Sequence, residues 1–451
     1  MNRQEELGNA PVGRLLIKFS IPAIICMVVA TLYNIVDRIY IGKLGTMAMA
    51  GIGLNLPIMT ILMAFGMLIG IGAAALISIR LGQQRKDEAE HILGNAVSLL
   101  IIIMAILMVV GLFFKIPLLK MFGASEETIK YADSYITIIL LGAIPNGVGF
   151  GVNNIIRSEG NPKIAMYTML LGAALNIILD PIFIFVLKMG VAGAAVATVI
   201  SQLANMIWVI NYFTNGKSLL KLKVCNMKNL KWTIARDITA IGMSPFFIQF
   251  AASVVGVISN NALRTHGGDL AISAMTVVNA ISMIFLMPIF GINQGAQPII
   301  GFNYGAKNFH RVKKALSLAI FGATMFSTIG FLLVELFPEL LIRVFNDDPK
   351  LMEITSSGMR LFLMMMPVIG FQIVTSNYFQ AVGKAKMSMF LSLLRQVLIL
   401  IPALLILPGY LGLKGIWISQ PLADGTASFI TAFLLWKEFK EVLWEKKELP
   451  A

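Results

Sequence analysis

The chain has 451 residues, 57% of them hydrophobic and 13% charged, with a formal net charge of +13. Soluble proteins average about 25% charged residues, so a chain this poor in charge belongs in lipid and has no room for a large soluble domain. Its basic residues lie between apolar runs, as cytoplasmic loops carry them, and not in the single cluster that nucleic acid would need.

Runs of about 20 apolar residues can cross a bilayer. About twelve recur here: 15–41, 50–79, 92–114, 130–156, 163–187, 191–213, 237–262, 270–300, 314–337, 354–380, 387–408 and 412–436. The expectation is an all-α integral membrane protein. The first run, LLIKFSIPAIICMVVATLYNIVDRIYI, is too long for a signal-peptide core and is read as a retained helix. Pro22 removes a backbone donor there and invites a bend. Asp37 follows late in the same run, with Tyr33 four residues before it. A carboxylate at that depth costs several kcal/mol unless it is protonated, paired or wet.

The fifth run contains LNIILDPIFIF, in which Asn176 and Asp180 are four apart and share a helix face. At about 1.5 Å per residue, Asp37, Asp180 and Thr198 all fall in the outer half of the membrane. An isolated Asn or Thr in a membrane helix is ordinarily helix–helix glue. Asp180 before Pro181 has a bland reading as a helix break, and Asp37 has one as an acid that follows a snorkelling Arg38. A single shared site accounts for all of them together. Carboxylates, amide, phenol and hydroxyl offer the oxygen ligands that Na⁺ prefers, and two close acids equally suit a proton. Both ions stay open at this point, and no other cofactor is expected.

The long connection after the sixth run is basic, from Lys217 through Lys221, Lys223, Lys228 and Lys231 to Arg236. Together with the bases near both ends, including Lys446 and Lys447, it predicts two cytoplasmic termini. Opposite loops carry acids such as Glu126, Glu127, Asp347 and Asp348. In the second half, Gln249, Met287 and Gln372 are candidate substrate-lining positions. Arg395 lies within the eleventh run, where a structural role is favoured over a ligand role. Cys26 and Cys225 are expected to be reduced. There is no phosphate-binding loop, zinc set or catalytic triad, so no enzyme is expected, and no face reads as a dimer contact, so a monomer is.

The halves repeat. Pro22 matches Pro245 at an offset of 223, and Gly45–Gly268, Gly72–Gly295, Gly82–Gly305, Phe122–Phe345, Gly160–Gly383 and Lys163–Lys386 keep the same offset. Two parallel six-helix lobes are expected, at 1–213 and 237–451, joined by a cytoplasmic linker at 214–236. Such an architecture places a cavity at mid-membrane, as in many secondary transporters. Asp37 pairs in the repeat with neutral Asn260, so the spanning acids are expected to concentrate in the first lobe.

The chain resembles the multidrug and toxic compound extrusion (MATE) family over essentially its whole length. The resemblance rests on LYNIVD with Gly42–Gly45, the glycine-rich run at Gly70 and Gly72, RLGQQRKDEAE at 80–90, NYGAKNFHRVKKA at 303–315 and LNIILDP. The DinF-like branch, which keeps its acids in the first lobe, is the nearer match. The resemblance implies a V-shaped two-lobe bundle in a prokaryotic cell membrane, exporting organic cations or amphipathic drugs against inward H⁺ or Na⁺. By position it implies an ion site at Asp37, Asn176, Asp180 and Thr198, with Tyr33 and Asn153 nearby and the bend at Pro22. A lipid-linked oligosaccharide flippase is the alternative. It would need several cavity bases, of which Arg395 is the one candidate. An integral-membrane transferase would need acids at the cytoplasmic surface, and a passive channel would not need the repeat.

Overall fold

The computed structural model describes residues 3–216, 218–345 and 348–440. Lys217, Asp347, Lys446 and Lys447 lie outside them. Every described element is a helix, the form in which an apolar segment satisfies its own backbone in lipid. In order they are α1 (Arg3–Asn9), α2 (Val12–Gly42), α3 (Thr46–Gly53), α4 (Leu56–Gly82), α5 (Lys86–Met121), α6 (Thr128–Leu141), α7 (Ala143–Ser158), α8 (Pro162–Pro181) and α9 (Gly190–Thr214). Then come α10 (Val224–Lys228), α11 (Trp232–Gly305), α12 (Phe309–Leu336), α13 (Pro338–Arg343), α14 (Pro349–Phe362), α15 (Met366–Ala381), α16 (Ala385–Leu393), α17 (Ile401–Leu411) and α18 (Leu413–Glu438). Wider π-helical turns continue α8 at Ile182–Val186 and join α16 to α17 at Leu394–Leu400.

Among the described residues, nine passages are long and apolar enough to cross a bilayer, and the bent pairs α6/α7 (56°) and α14/α15 (49°) raise the number to eleven. α11 counts as two of these passages, broken at Gly268, whose φ of 64° interrupts the helix. α18, with 26 residues, has the length for a further crossing. Ser419, Gln420, Asp424 and Ser428 make it less apolar than the others.

Packing divides the chain into two units, one of Met1–Ala10 with Ile25–Phe246 and one of Pro11–Ile24 with Phe247–Ala451. These units differ from the lobes expected at 1–213 and 237–451. The first half of α2 packs with the second unit, and the opening stretch of α11, with the linker before it, packs with the first. Glycines explain the exchange. In the first unit, a Cβ on Gly72 would overlap the Ile238 carbonyl and one on Gly242 the Leu68 carbonyl, so α4 and the start of α11 touch backbone to backbone. In the second unit, Gly291 and Gly295 lie in the same way against Ile24 and Ser20 of α2. α2 itself runs helically through Pro22, and the boundary between units falls two residues later, at Ile24/Ile25.

The repeat is written in the backbone as well. Gly45 and Gly268 both have positive φ (112° and 64°), as do Gly160 and Gly383 (97° and 79°). So do Gln84 and Lys307 (62° and 58°), residues that rarely adopt this conformation, at the same offset of 223.

Candidate functional site

Four elements of the first unit build the site. α8 starts cleanly: Asn161 caps it by accepting from the Ile164 amide (3.4 Å), and Pro162 sits in its first turn. The helix then delivers Asn176 (3% exposed) and Asp180 (0%) to the interior one turn apart. Asp180 stands where Pro181 hands the chain to the wider π turn. Such turns mark functional positions in many helices. α2 brings Tyr33 and Asp37, α9 brings Thr198, and α6 brings Tyr135.

These groups meet. The Asn176 amide donates to Asp180 Oδ1 and to Thr198 Oγ, both at 3.3 Å. The carboxyl groups of Asp37 and Asp180 face each other within side-chain hydrogen-bonding reach. Tyr135, 2% exposed, reaches Thr198 with its hydroxyl and lies in the field of Asp37, Tyr33 and Asp180. Three acceptor oxygens of the cluster have no donor among the described residues: Asp37 Oδ1, Asn176 Oδ1 and Asp180 Oδ2. Buried acceptors without donors are costly. Two carboxyls in contact share a proton or hold a cation between them, since two bare charges at that range repel strongly. Arg38, the neighbour of Asp37, is exposed.

A cavity of about 140 Å³ opens beside the cluster, lined by Tyr33, Asn153, Asn176, Thr198, Gln202 and Asn205 among others. Asn153 takes part in it differently from the other polar residues implied by the family resemblance. Its amide is used up between helices, donating to Ala165 O (2.9 Å) and accepting from the buried Arg157 (3.3 Å). Gln202 Oε1 and Asn205 Oδ1 are buried without a donor, and Gly172 leaves the space into which the Asn205 amide fits.

The other candidates lie elsewhere. Gln249, Met287 and Gln372 all belong to the second unit and none lines this cavity. Gln249 and Met287 are half-buried, and Gln372 is buried with its amide donating to Ser376 Oγ at 3.5 Å. Among the described residues no three His, Cys, Asp or Glu side chains gather as a metal cluster. Cys26 and Cys225 are free thiols, the first buried and the second exposed.

The expectation that spanning acids concentrate in the first lobe is corrected by α18. Its Asp424 is 1% exposed and accepts Arg395 Nη1 at 3.4 Å, while the Gln420 amide donates to both carboxylate oxygens at 3.1 and 3.0 Å. A buried acid is held in the second unit because its counter-charge is supplied there, by Arg395 from the π turn Leu394–Leu400. Tyr135 also escaped the sequence reading. Its one signal was a tyrosine inside an apolar run, which serves core packing equally well.

Comparison with known proteins agrees with this arrangement. A MatE family model matches residues 22–182 and again 245–405, two matches separated at both ends by the offset of 223 seen in the repeat. The chain is 26% identical over 442 residues to the multidrug export protein MepA of Staphylococcus haemolyticus (strain JCSC1435), covering 98% of this chain and 97% of that one. It superposes on a drug-bound structure of the MATE multidrug transporter DinF-BH with a TM-score of 0.88 at 40% identity, over 96% of each chain. On a crystal structure of MATE in the bent conformation the TM-score is 0.92 at 26% identity, over 98% of each chain. With both halves matched by one family model across most of its length, the chain belongs to the MatE family, the multidrug and toxic compound extrusion transporters.

Proposed function

We propose that this protein is a secondary active multidrug exporter that exchanges organic cations or amphipathic drugs for inward-moving H⁺ or Na⁺ by alternating access. One observation carries the reading. The orphaned oxygens of Asp37, Asn176 and Asp180 converge beside a cavity, where an entering cation would find acceptors already oriented. A proton would sit between the two carboxyls. A sodium ion would draw on Asp37, Asp180, the Asn176 carbonyl and the Thr198 hydroxyl, all hard oxygen donors. Either one removes net negative charge from the site and lowers the cost of drying it. The second half of α2, which carries Tyr33 and Asp37, then closes over the cavity about Pro22, and the drug loses its place.

The names of the relatives support export of drugs, and the drug bound to DinF-BH supports a cavity with broad taste. The flippase alternative loses its one candidate base, because Arg395 is spent on Asp424. In this reading the chain acts as a monomer in the cell membrane with both termini cytoplasmic, and it alters no bond of its substrate.

Efflux of ethidium from proteoliposomes, with pH and Na⁺ gradients imposed separately, tests the proposal. Drive by a pH gradient alone assigns the acids to protons, and drive by Na⁺ alone makes them metal-ion ligands. Asp37→Asn and Asp180→Asn proteins should enter the membrane folded and lose gradient-driven efflux. Normal efflux by both variants would overturn the coupling site.

A further inference from the structure

The linker between the two halves has two unlike sides. The span of α9 ends at Thr214 and the next begins at Trp232, so the connection lies at the level of the lipid headgroups. One side is clamped to the first unit. Glu159, fully buried, accepts from the Tyr212 and Ser218 hydroxyls and from the Leu220 amide (3.4 Å). Glu90 accepts the Lys221 amide (3.2 Å) and pairs with Lys223 (2.6 Å). Asn95, also fully buried, donates to the carbonyls of Asn226 and Asn229 (both 3.2 Å) and accepts the Lys231 amide (2.8 Å). Gly94 has no side chain to keep α10 away: a Cβ there would come 2.7 Å from that of Asn226.

The other side is a strip of bases and apolar groups. Val224, Leu230 and Trp232 are 64%, 43% and 79% exposed. Lys221, Lys228 and Lys231 are exposed and, among the described residues, have no acid partner. The neighbouring acids are already engaged, Glu90 with Lys223 and Asp237 with Arg236 (3.5 Å).

We propose that the linker is an interfacial anchor for anionic phospholipids. Lys221, Lys228 and Lys231 meet the headgroup phosphates, while Trp232, Leu230 and Val224 enter the boundary with the acyl chains. Lysines beside tryptophan at the membrane surface are the combination that such an interface favours, and each lysine strengthens attachment to an anionic leaflet about fivefold. Because Glu90, Asn95 and Glu159 fix the backbone beforehand, little ordering is left to oppose binding. An acidic soluble protein would use the same charges but gains little from a tryptophan and leucine held at acyl depth.

The full chain reconstituted in vesicles of phosphatidylcholine, with or without one third phosphatidylglycerol, tests this. Exposed Cys225 takes a thiol-reactive, polarity-sensitive fluorophore while buried Cys26 is spared. The expected result is a blue-shifted probe in anionic vesicles, with the shift falling about fivefold in effective affinity for each of Lys228→Gln and Lys231→Gln. Independently of the label, brominated phosphatidylglycerol should quench Trp232 more than brominated phosphatidylcholine does, a difference that Trp232→Phe removes. Equal emission and equal quenching in both lipids, or lysine variants indistinguishable from the parent, would overturn the anchor. So would a probe that shifts only when an acidic soluble protein is added.

Discussion

Gly242 lies directly against the Leu68 carbonyl, with no room for a Cβ between them. That contact and its companion at Gly72 hold the opening stretch of α11 on α4. Gly242→Ala should therefore force two backbones apart and cost about 3 kcal/mol. Gly256→Ala is the control: nothing lies within 4 Å of its added methyl, and the exchange should raise stability by about 0.5–1 kcal/mol through helix propensity. Thermal unfolding in detergent measures both, and a Gly242→Ala protein as stable as its parent would refute the close approach.

Tyr135 gives a finer test of the ion site. Tyr135→Phe keeps the ring in its core position and removes only the hydroxyl that reaches Thr198. With one hydrogen bond lost, gradient-driven efflux should slow about 2- to 10-fold. Thr198→Val should have an effect of similar size, and the double variant should be little worse than either alone. Fully additive losses would show that the two hydroxyls act separately.

Much of this site stands out in the sequence because polar residues are expensive in lipid. Asp37, Asn176, Asp180 and Thr198 announce themselves against an apolar background, and the four-residue spacing of Asn176 and Asp180 already fixes a shared face. Tyr135 does not, since a buried tyrosine has as much apolar surface to offer a core as it has hydroxyl to offer a site. Asp424 is hidden for another reason. It sits in the most polar of the spanning runs, and the arginine that makes it tolerable comes from a different helix, 29 residues earlier. The repeat was legible at its offset, but the exchange of half-helices was not. It depends on which glycine faces which carbonyl, and a list of glycines does not tell that.

The Arg395–Asp424 pair makes a prediction of its own. Removing either partner leaves a charge buried near mid-membrane, so Arg395→Leu or Asp424→Leu alone should cost about 3–5 kcal/mol. Their combination should recover most of that loss, because the bundle no longer carries an unpaired ion. A double-mutant cycle by thermal unfolding checks this, and additive losses would mean that the pair contributes nothing as a pair.

The Lys223–Glu90 bridge responds to pH from its exposed end. The hydrogen bond and charge of Glu90 raise the Lys223 ammonium above its ordinary pKa. A raised folded-state value means that the bridge contributes fully below the unfolded lysine pKa, about 10.4, and is lost as pH climbs through the folded one. The stability difference between the parent and Lys223→Met should hence be flat from pH 7 to 9 and shrink in stronger alkali. A difference that instead vanished on acidifying from pH 9 to 7 would contradict the assigned sign.

The division of α2 also sets a timetable for synthesis. Pro11–Ile24 are among the first residues made, yet the glycines that receive them, Gly291 and Gly295, come nearly three hundred residues later. At about 5–20 residues per second, this segment waits on the order of 15–60 seconds for its berth. The first unit meanwhile lacks α11 until Phe246 has been added. A ribosome stalled after the sixth span would thus hold a half that is finished in sequence and unfinished in packing, with Gly72 and the Leu68 carbonyl still bare. Exposed backbone of this kind is what membrane quality-control proteases and insertion chaperones recognise, and the protein passes their inspection only when its second half arrives.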